Sequence, residues 1–243
     1  MEIIKGIIDS LSPDAWVEEV RRGLFWTAVV SRNCGLASTM LRDVCSQGTE
    51  DDTKPRSLSG HSGRQLAELA LSSDISDASV GLAAINSLIN IDETRVTETN
   101  AGDFLIKEGA GKDVSVIGHF PFTDALRKVT RNLWVIEKWS RPGDVPERDG
   151  QRYLSLSDIV AISSTTLINH TLTGVLSLCR PGSLKMLLGP TTPMSPVLFE
   201  YGFDIVSGSV VTNKNLALKQ ISEGANFRQL KASGCIRLIT MRV

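Results

Sequence analysis

Residues 114–122 read VSVIGHFPF. The run has the form of a β-strand closing into the turn that opens a nucleotide-binding βα unit. In such a unit three glycines supply a tight turn, close backbone approach to a pyrophosphate and close helix packing. Here the window is Gly118-His119-Phe120-Pro121-Phe122-Thr123, and only the first glycine is present. A side chain at Phe120 crowds the usual pyrophosphate position, and Pro121 has no amide hydrogen to offer. Conventional NAD binding is therefore disfavoured. What remains is a strand end that delivers an imidazole and an aromatic ring to the crevice above a sheet, groups suited to a planar or metal-bound ligand. The alternative is that Phe120 and Phe122 belong to the core and His119 bonds the backbone.

Around this stretch the texture is regular. From Lys112 onward short β-rich runs alternate with helical ones: DVSVIG and TDALRKVTR; LWVIE; DIVAIS and LINHTLTGVLSLC; LKMLLG and PVLFEYG; FDIVSG and NLALKQISEG; then CIRLITMRV. Strands separated by helices of about ten residues imply βαβ crossovers and a mainly parallel, doubly wound, Rossmann-like sheet. The first hundred residues differ. MEIIKGIIDSLSPDAW carries a helical stripe of Ile3, Ile4, Ile7 and Ile8. Runs from Trp16 to Arg21, Phe25 to Ser31 and near Leu36 read as an antiparallel meander. A polar loop from Cys45 follows, then two helices, GRQLAELALS and DISDASVGLAAINSLIN, the second capped by Asp74 or Ser76. A short helix is expected around Phe104 to Glu108. The fold class is α/β, with an α+β domain over 1–100 and a doubly wound domain over 101–243.

Composition narrows the function. The 26 basic and 27 acidic side chains among 243 residues leave no field to draw in nucleic acid. Charges interrupt the N-terminal apolar stripe, unlike a signal peptide, and no window approaches the roughly 18 uncharged apolar residues of a spanning helix. A cytoplasmic protein with no membrane partner is expected. Cys34, Cys45, Cys179 and Cys235 show no paired spacing and read as reduced thiols. The match of Asn169-His170-Thr171 to a glycosylation sequon is read as accidental.

Ligands of open α/β sheets sit outside the carboxyl ends of the strands. Gly118, His119 and Phe120 lie at the first such end. Glu137 ends the next strand, where an acid often meets ribose hydroxyls or a metal; its alternative is an ion pair with Lys138 or Arg141. Ser163, Ser164, Thr165 and Thr166 crowd a strand-to-helix turn, with Asn169 one helical turn beyond Thr165, as in an anion cradle. Capping accounts for one or two of these hydroxyls. Gly189, Pro190, Thr191 and Thr192 open a proline-stiffened loop beside the same crevice. Asn86, among apolar neighbours, either staples its own domain or faces an interface.

Taken in order, GHFPF, WVIEKWSRPGDVP, LSDIVAISSTTLINHTL, LLGPTTPMSPVLFEYG, VSGSVV and ISEGANFR resemble the family catalogued as putative heavy-metal chelation proteins. FWTAVV, CGLAST and SVGLAAIN are similar to its smaller domain. The resemblance implies an enolase N-terminal-like domain, a Rossmann-like domain and a site where they meet, with pterin- or flavin-related ligands suggested by analogy. A divalent metal is the other cofactor it implies. The residues give that label little support: His61, His119 and His170 are far apart, so a metal site would have to assemble in space from His119, Glu137 and a cysteine such as Cys34.

The leading expectation is a protein that binds a small planar or anionic ligand, or a metal chelate, in a cleft between its domains. His119 is then the general acid or base and Glu137 its partner. The competing expectation is a carrier or sensor of metal or metal chelate without turnover. Self-association into a homo-oligomer is left open.

Overall fold

Helix α1 (Glu2–Ser10) buries Ile3, Ile4, Ile7 and Ile8 on one face, as their spacing predicts. The computed structural model describes residues 1–11, 13–40 and 57–243, so Cys45 and most of the expected polar loop lie outside the described residues. Strands β1 (Glu19–Arg22), β2 (Trp26–Val30) and β3 (Cys34–Ser38) form an antiparallel meander in chain order. β1 begins three residues later than the apolar run suggests, because Trp16 forms an isolated bridge with Ser62 instead.

Helix α2 (Gly63–Ala67) opens on a capping box in which Ser62 and Gln65 each accept the other's backbone amide. A 3-10 turn over Glu68–Leu71 continues it. Of the two candidate caps for α3 (Ile75–Leu88), Asp74 serves, accepting from the Ser76 amide at 2.8 Å. Asn86 on α3 donates to the carbonyl of Leu36 at 2.8 Å, an internal staple between helix and strand.

The rest of the chain builds a seven-stranded sheet. Its elements are α4 (Ala101–Glu108), β4 (Asp113–Ile117), α5 (Thr123–Arg127), β5 (Asn132–Glu137), β6 (Val145–Pro146), α6 (Gly150–Leu154), β7 (Ile159–Ser163) and α7 (Thr165–Ile168). Then come α8 (Leu172–Leu178), β8 (Leu184–Leu188), α9 (Val197–Glu200), β9 (Ile205–Val211), α10 (Lys214–Ser222), α11 (Phe227–Ala232) and β10 (Ile236–Arg242). The strand order is β10-β9-β8-β7-β4-β5-β6, and every pair from β9 to β6 is parallel. The alternation read from the sequence is therefore present. The helix expected across Leu167 to Cys179 is two helices, because His170 adopts φ +59 and ends the first of them. Strand β6 and helices α6 and α11 carry too few apolar positions to announce themselves.

Buried Val114, Val116, Ile159, Ala161, Met186 and Leu188 pack with Leu105 and Leu126 into one core, the apolar runs that a sheet covered on both faces requires. Starting from β4 the chain steps outward through β5 and β6, then returns to the other side of β4 and continues through β7 to β10. That reversal lies between β4 and β7, the place where open α/β sheets leave a crevice at their carboxyl ends.

By its contacts the chain divides into two units. One comprises Met1–Asn90, Leu167–Asn169 and Ser209–Arg237; the other comprises Ile91–Thr166, His170–Gly208 and Leu238–Val243. Within the first, Trp26 Nε1 donates to the Ala225 carbonyl at 3.1 Å and its ring lies 6.1 Å from that of Phe227. Among the described residues no helix is long and apolar enough to cross a membrane.

Candidate functional site

Gly118 leaves β4 at φ +99, a conformation L side chains rarely adopt. A Cβ there would stand 3.1 Å from the Cβ of Ser163, so the turns after β4 and β7 touch at this point. The Gly118 amide donates to the Ile136 carbonyl at 3.1 Å and keeps the turn level with the end of β5. His119 thus emerges at the strand-order reversal.

Its partner is an acid that sequence spacing does not single out. His119 Nε2 lies 2.8 Å from Asp144 Oδ2, and the Asp144 side chain is only 4% exposed against 27% for His119. The loop between β5 and β6 makes this possible. In Arg141-Pro142-Gly143-Asp144, Pro142 supplies the fixed φ of the first central position and Gly143, at φ +92, takes the second, the pattern of a type II turn. The Asp144 amide donates to the Arg141 carbonyl at 2.9 Å, and the Asp144 carboxylate folds back to accept the Arg141 amide at 2.7 Å.

Burial alone would raise the pKa of this carboxyl. The bond from His119 and the bond from the Arg141 amide outweigh that effect and hold it below the usual carboxylate range. At neutral pH Asp144 is therefore ionised and can only accept, so the proton on the imidazole edge facing it belongs to Nε2. In the neutral form of the ring Nδ1 then carries the lone pair, and it has no hydrogen-bond partner among the described residues.

Glu137 ends β5 as expected and is half-buried. Among the described residues it has no ion-pair partner, Lys138 and Arg141 included, and His119 is held by Asp144 instead. Phe120 packs on the core of its unit and stacks on Phe122, with centroids 5.2 Å apart and planes 11° apart. Both rings are half-buried and pack against that core from its edge.

The hydroxyl cluster after β7 is largely used internally. Thr166 is buried and donates to the Ser163 carbonyl at 2.6 Å; Ser163 and Thr165 share a hydrogen bond of 2.8 Å. Ser164 is buried, and its Oγ sits where a Cβ on Gly189 would fall, 2.8 Å away. Only the half-buried Ser163 and Thr165 keep side chains at the surface of the turn. The helix expected to carry Asn169 on the face of Thr165 stops at Ile168, and Asn169 is an exposed turn residue. After β8, Thr191 and Thr192 are both 1% exposed, Pro190 is half-buried, and Thr192 Oγ1 is a buried hydroxyl without a partner among the described residues. Gly118, Ser163, Ser164, Thr165 and Gly189 accordingly form one row across the ends of β4, β7 and β8.

A protein-built metal centre is a poor fit to these groups. No three His, Cys, Asp or Glu side chains gather for a metal among the described residues, and the partner of His119 is Asp144 and not Glu137. Burial pushes the Cys34 thiol up to about 12 and the Cys179 thiol up to about 11, which keeps both protonated at neutral pH.

Comparison with known proteins agrees with the architecture. A family model described as putative heavy-metal chelation matches residues 100–240, and a second of the same description matches residues 4–89. The chain is 26% identical over 216 residues to an uncharacterized protein of Methanocaldococcus jannaschii, covering 86% of this chain and 81% of that one. A crystal structure of a protein of unknown function from Desulfitobacterium hafniense DCB-2 superposes with a TM-score of 0.86 at 27% identity, over 100% of this chain and 98% of that chain. The fold is shared as well with a protein of unknown function from Pyrococcus horikoshii, at a TM-score of 0.82 and 21% identity over 99% of this chain and 98% of that one. With the first model spanning more than half of its residues, the chain belongs to the family described as putative heavy-metal chelation.

Proposed function

We propose that the protein binds a small planar or anionic ligand, or a metal carried as a chelate, at the carboxyl edge of the seven-stranded sheet, and that His119 moves a proton on it. The observation that carries this reading is the imidazole fixed at 2.8 Å by a shielded, ionised Asp144. Asp144 holds the ring in the tautomer whose Nδ1 can accept, and its charge stabilises the imidazolium that forms when Nδ1 takes a proton. Glu137, at the end of the neighbouring strand, is the second group that can meet a ligand hydroxyl or amine. A bare heavy-metal ion needs three or four protein donors, whereas a chelate that brings its own ligands needs one, and Nδ1 of His119 is one.

The finer fold reading goes with this: a Rossmann-like domain over 101–243, supported by the strand-order reversal, and an enolase N-terminal-like domain over 1–100. The protein works in the cytoplasm, without nucleic acid. The test is a thermal-shift screen of divalent metals, pterins, flavins and nucleotides, with and without chelator, on the wild type and on His119→Ala, Asp144→Asn and Glu137→Ala. Stabilisation by an organic ring that survives chelator and is lost in His119→Ala is expected. Stabilisation by metal alone would instead make the protein a carrier, and an equal shift in His119→Ala would refute the role of the imidazole.

A further inference from the structure

A groove of about 800 Å³ runs along one stretch of the chain, Asp144 to Ser155, and is closed by Ser177 and Leu178 at the end of α8. Its charged residues are Asp144 and Asp149 against Arg148 and Arg152, and they are not equally available to a ligand. The Asp144 carboxylate is turned away from solvent and already accepts from His119 and the Arg141 amide, so it offers the groove no exposed charge. Asp149 is paired only loosely with Arg148, at 3.9 Å, and both are largely exposed. Arg152 has no carboxylate partner among the described residues. Its guanidinium lies 5.8 Å from the centroid of the Tyr153 ring, which in turn packs 5.2 Å from the Trp134 ring. The chain as a whole carries a net charge of −1, yet this groove presents an uncommitted guanidinium and a second one a helical turn away.

The rest of the lining decides what such a site would take. Ser155 and Ser177 spend their hydroxyl protons on the carbonyls of Arg152 and Gly174, so the strong donors left are the two guanidinium groups and the Gln151 amide. Val145, Pro146, Tyr153 and Leu178 form an apolar wall beside them. A planar guanidinium matches an oxyanion with two parallel N–H bonds, and an aromatic ring beside it matches an apolar body.

We propose that this groove binds a small organic acid, one phosphate or carboxylate group on an apolar body, with Arg152 as the principal anion contact and Arg148 as the second. The site stands apart from proton transfer at His119 and does not require it. Asp144 is the residue that the two have in common.

Isothermal titration calorimetry of the full chain with phenyl phosphate, benzoate and inorganic phosphate, at fixed ionic strength, tests this. Saturable binding of phenyl phosphate is expected, weaker by about tenfold or more in Arg152→Ala and by a smaller factor in Arg148→Ala. Arg127→Ala, an exposed arginine of α5, is expected to bind as the wild type does. Tighter binding of phenyl phosphate than of benzoate identifies the phosphate as the preferred source of the oxyanion, and the reverse order identifies the carboxylate; both support the site. Inorganic phosphate is expected to bind more weakly than phenyl phosphate. The inference is overturned if no probe saturates, if Arg152→Ala binds phenyl phosphate as well as the wild type, or if Arg127→Ala weakens binding as much as Arg152→Ala does. Arg152 takes no part in the pair of His119 with Asp144, so Arg152→Ala tests this reading without touching that one.

Discussion

Replacing Asp144 by Asn keeps the size of the side chain and removes its charge. In the structure that carboxylate accepts two hydrogen bonds, from His119 Nε2 at 2.8 Å and from the Arg141 amide at 2.7 Å, while only 4% exposed. A hydrogen bond to a charged group contributes about 1.5–3 kcal/mol and a neutral one about 0.5–1.5 kcal/mol. Two bonds weakened from the first class to the second would cost about 2–3 kcal/mol. The neutral amide escapes the desolvation cost of a buried ion, which offsets part of this and leaves a net loss of about 1–2 kcal/mol at pH 7.

The pH dependence has a definite sign. The folded-state pKa of Asp144 lies below its unfolded value of about 3.9, so its stabilisation is complete above that pH and disappears as pH falls through the folded pKa. Asp113, held low by its hydrogen bond from Arg131, and Asp158, held low first by the Asp113 amide and then by Arg180, lose stabilisation in the same range. Because both proteins share those groups, the difference between wild type and variant isolates Asp144. Urea unfolding at pH 7 and at pH 3 measures it: the gap should be present at pH 7 and shrink at pH 3. A variant as stable as the wild type at pH 7, or a gap of equal size at both pH values, would refute the reasoning.

Three further outcomes follow from local geometry. Gly118→Ala forces an L residue to φ +99 and sets its Cβ 3.1 Å from that of Ser163, so urea unfolding should show a loss of about 1–3 kcal/mol. Gly35→Ala would place a Cβ 2.1 Å from the Ala83 carbonyl oxygen and 2.2 Å from the Ser87 amide nitrogen. Both atoms are α3 backbone, so β3 must move off the helix, and a loss above about 3 kcal/mol or failure to fold is expected by circular dichroism. Cys34 and Cys179, with thiols pushed to about 12 and about 11, should alkylate slowly with iodoacetamide at pH 8 in the native protein and quickly in urea, read by mass spectrometry.

How far the sequence carries the fold depends on the length of each signal. Strands β4, β7 and β8 are mostly apolar runs of five residues that end in glycine or hydroxyl turns, and a parallel sheet covered on both faces asks for such runs. Strand β6 has two residues, held by the register of Ile136 with Val145, and no periodicity can reveal a pair. The contact of Trp26 with Ala225 spans 199 positions and leaves no local mark. At the site, spacing after Gly118 leads to Glu137, the last residue of the next strand. The acid that meets His119 stands seven residues later, because the turn Arg141-Pro142-Gly143-Asp144 brings the chain back to the ring. Proline followed by glycine and then an acid, shortly after a strand end, is the signal available for it. The number of hydroxyls in Ser163 to Thr166 suggests a cradle, yet a turn that closes on its own carbonyl, as Thr166 does on Ser163, and a bond between Ser163 and Thr165 use most of them.

The central claim is that Asp144 fixes the imidazole of His119 with its proton on Nε2. With only three histidines in the chain, a long-range ¹H–¹⁵N spectrum of the neutral rings, assigned with His119→Ala, reads the tautomer directly. The account predicts a protonated Nε2 and an unprotonated Nδ1 at His119 in the wild type, with that bias weakened in Asp144→Asn. A proton on Nδ1, or a spectrum that Asp144→Asn leaves unchanged, would contradict it.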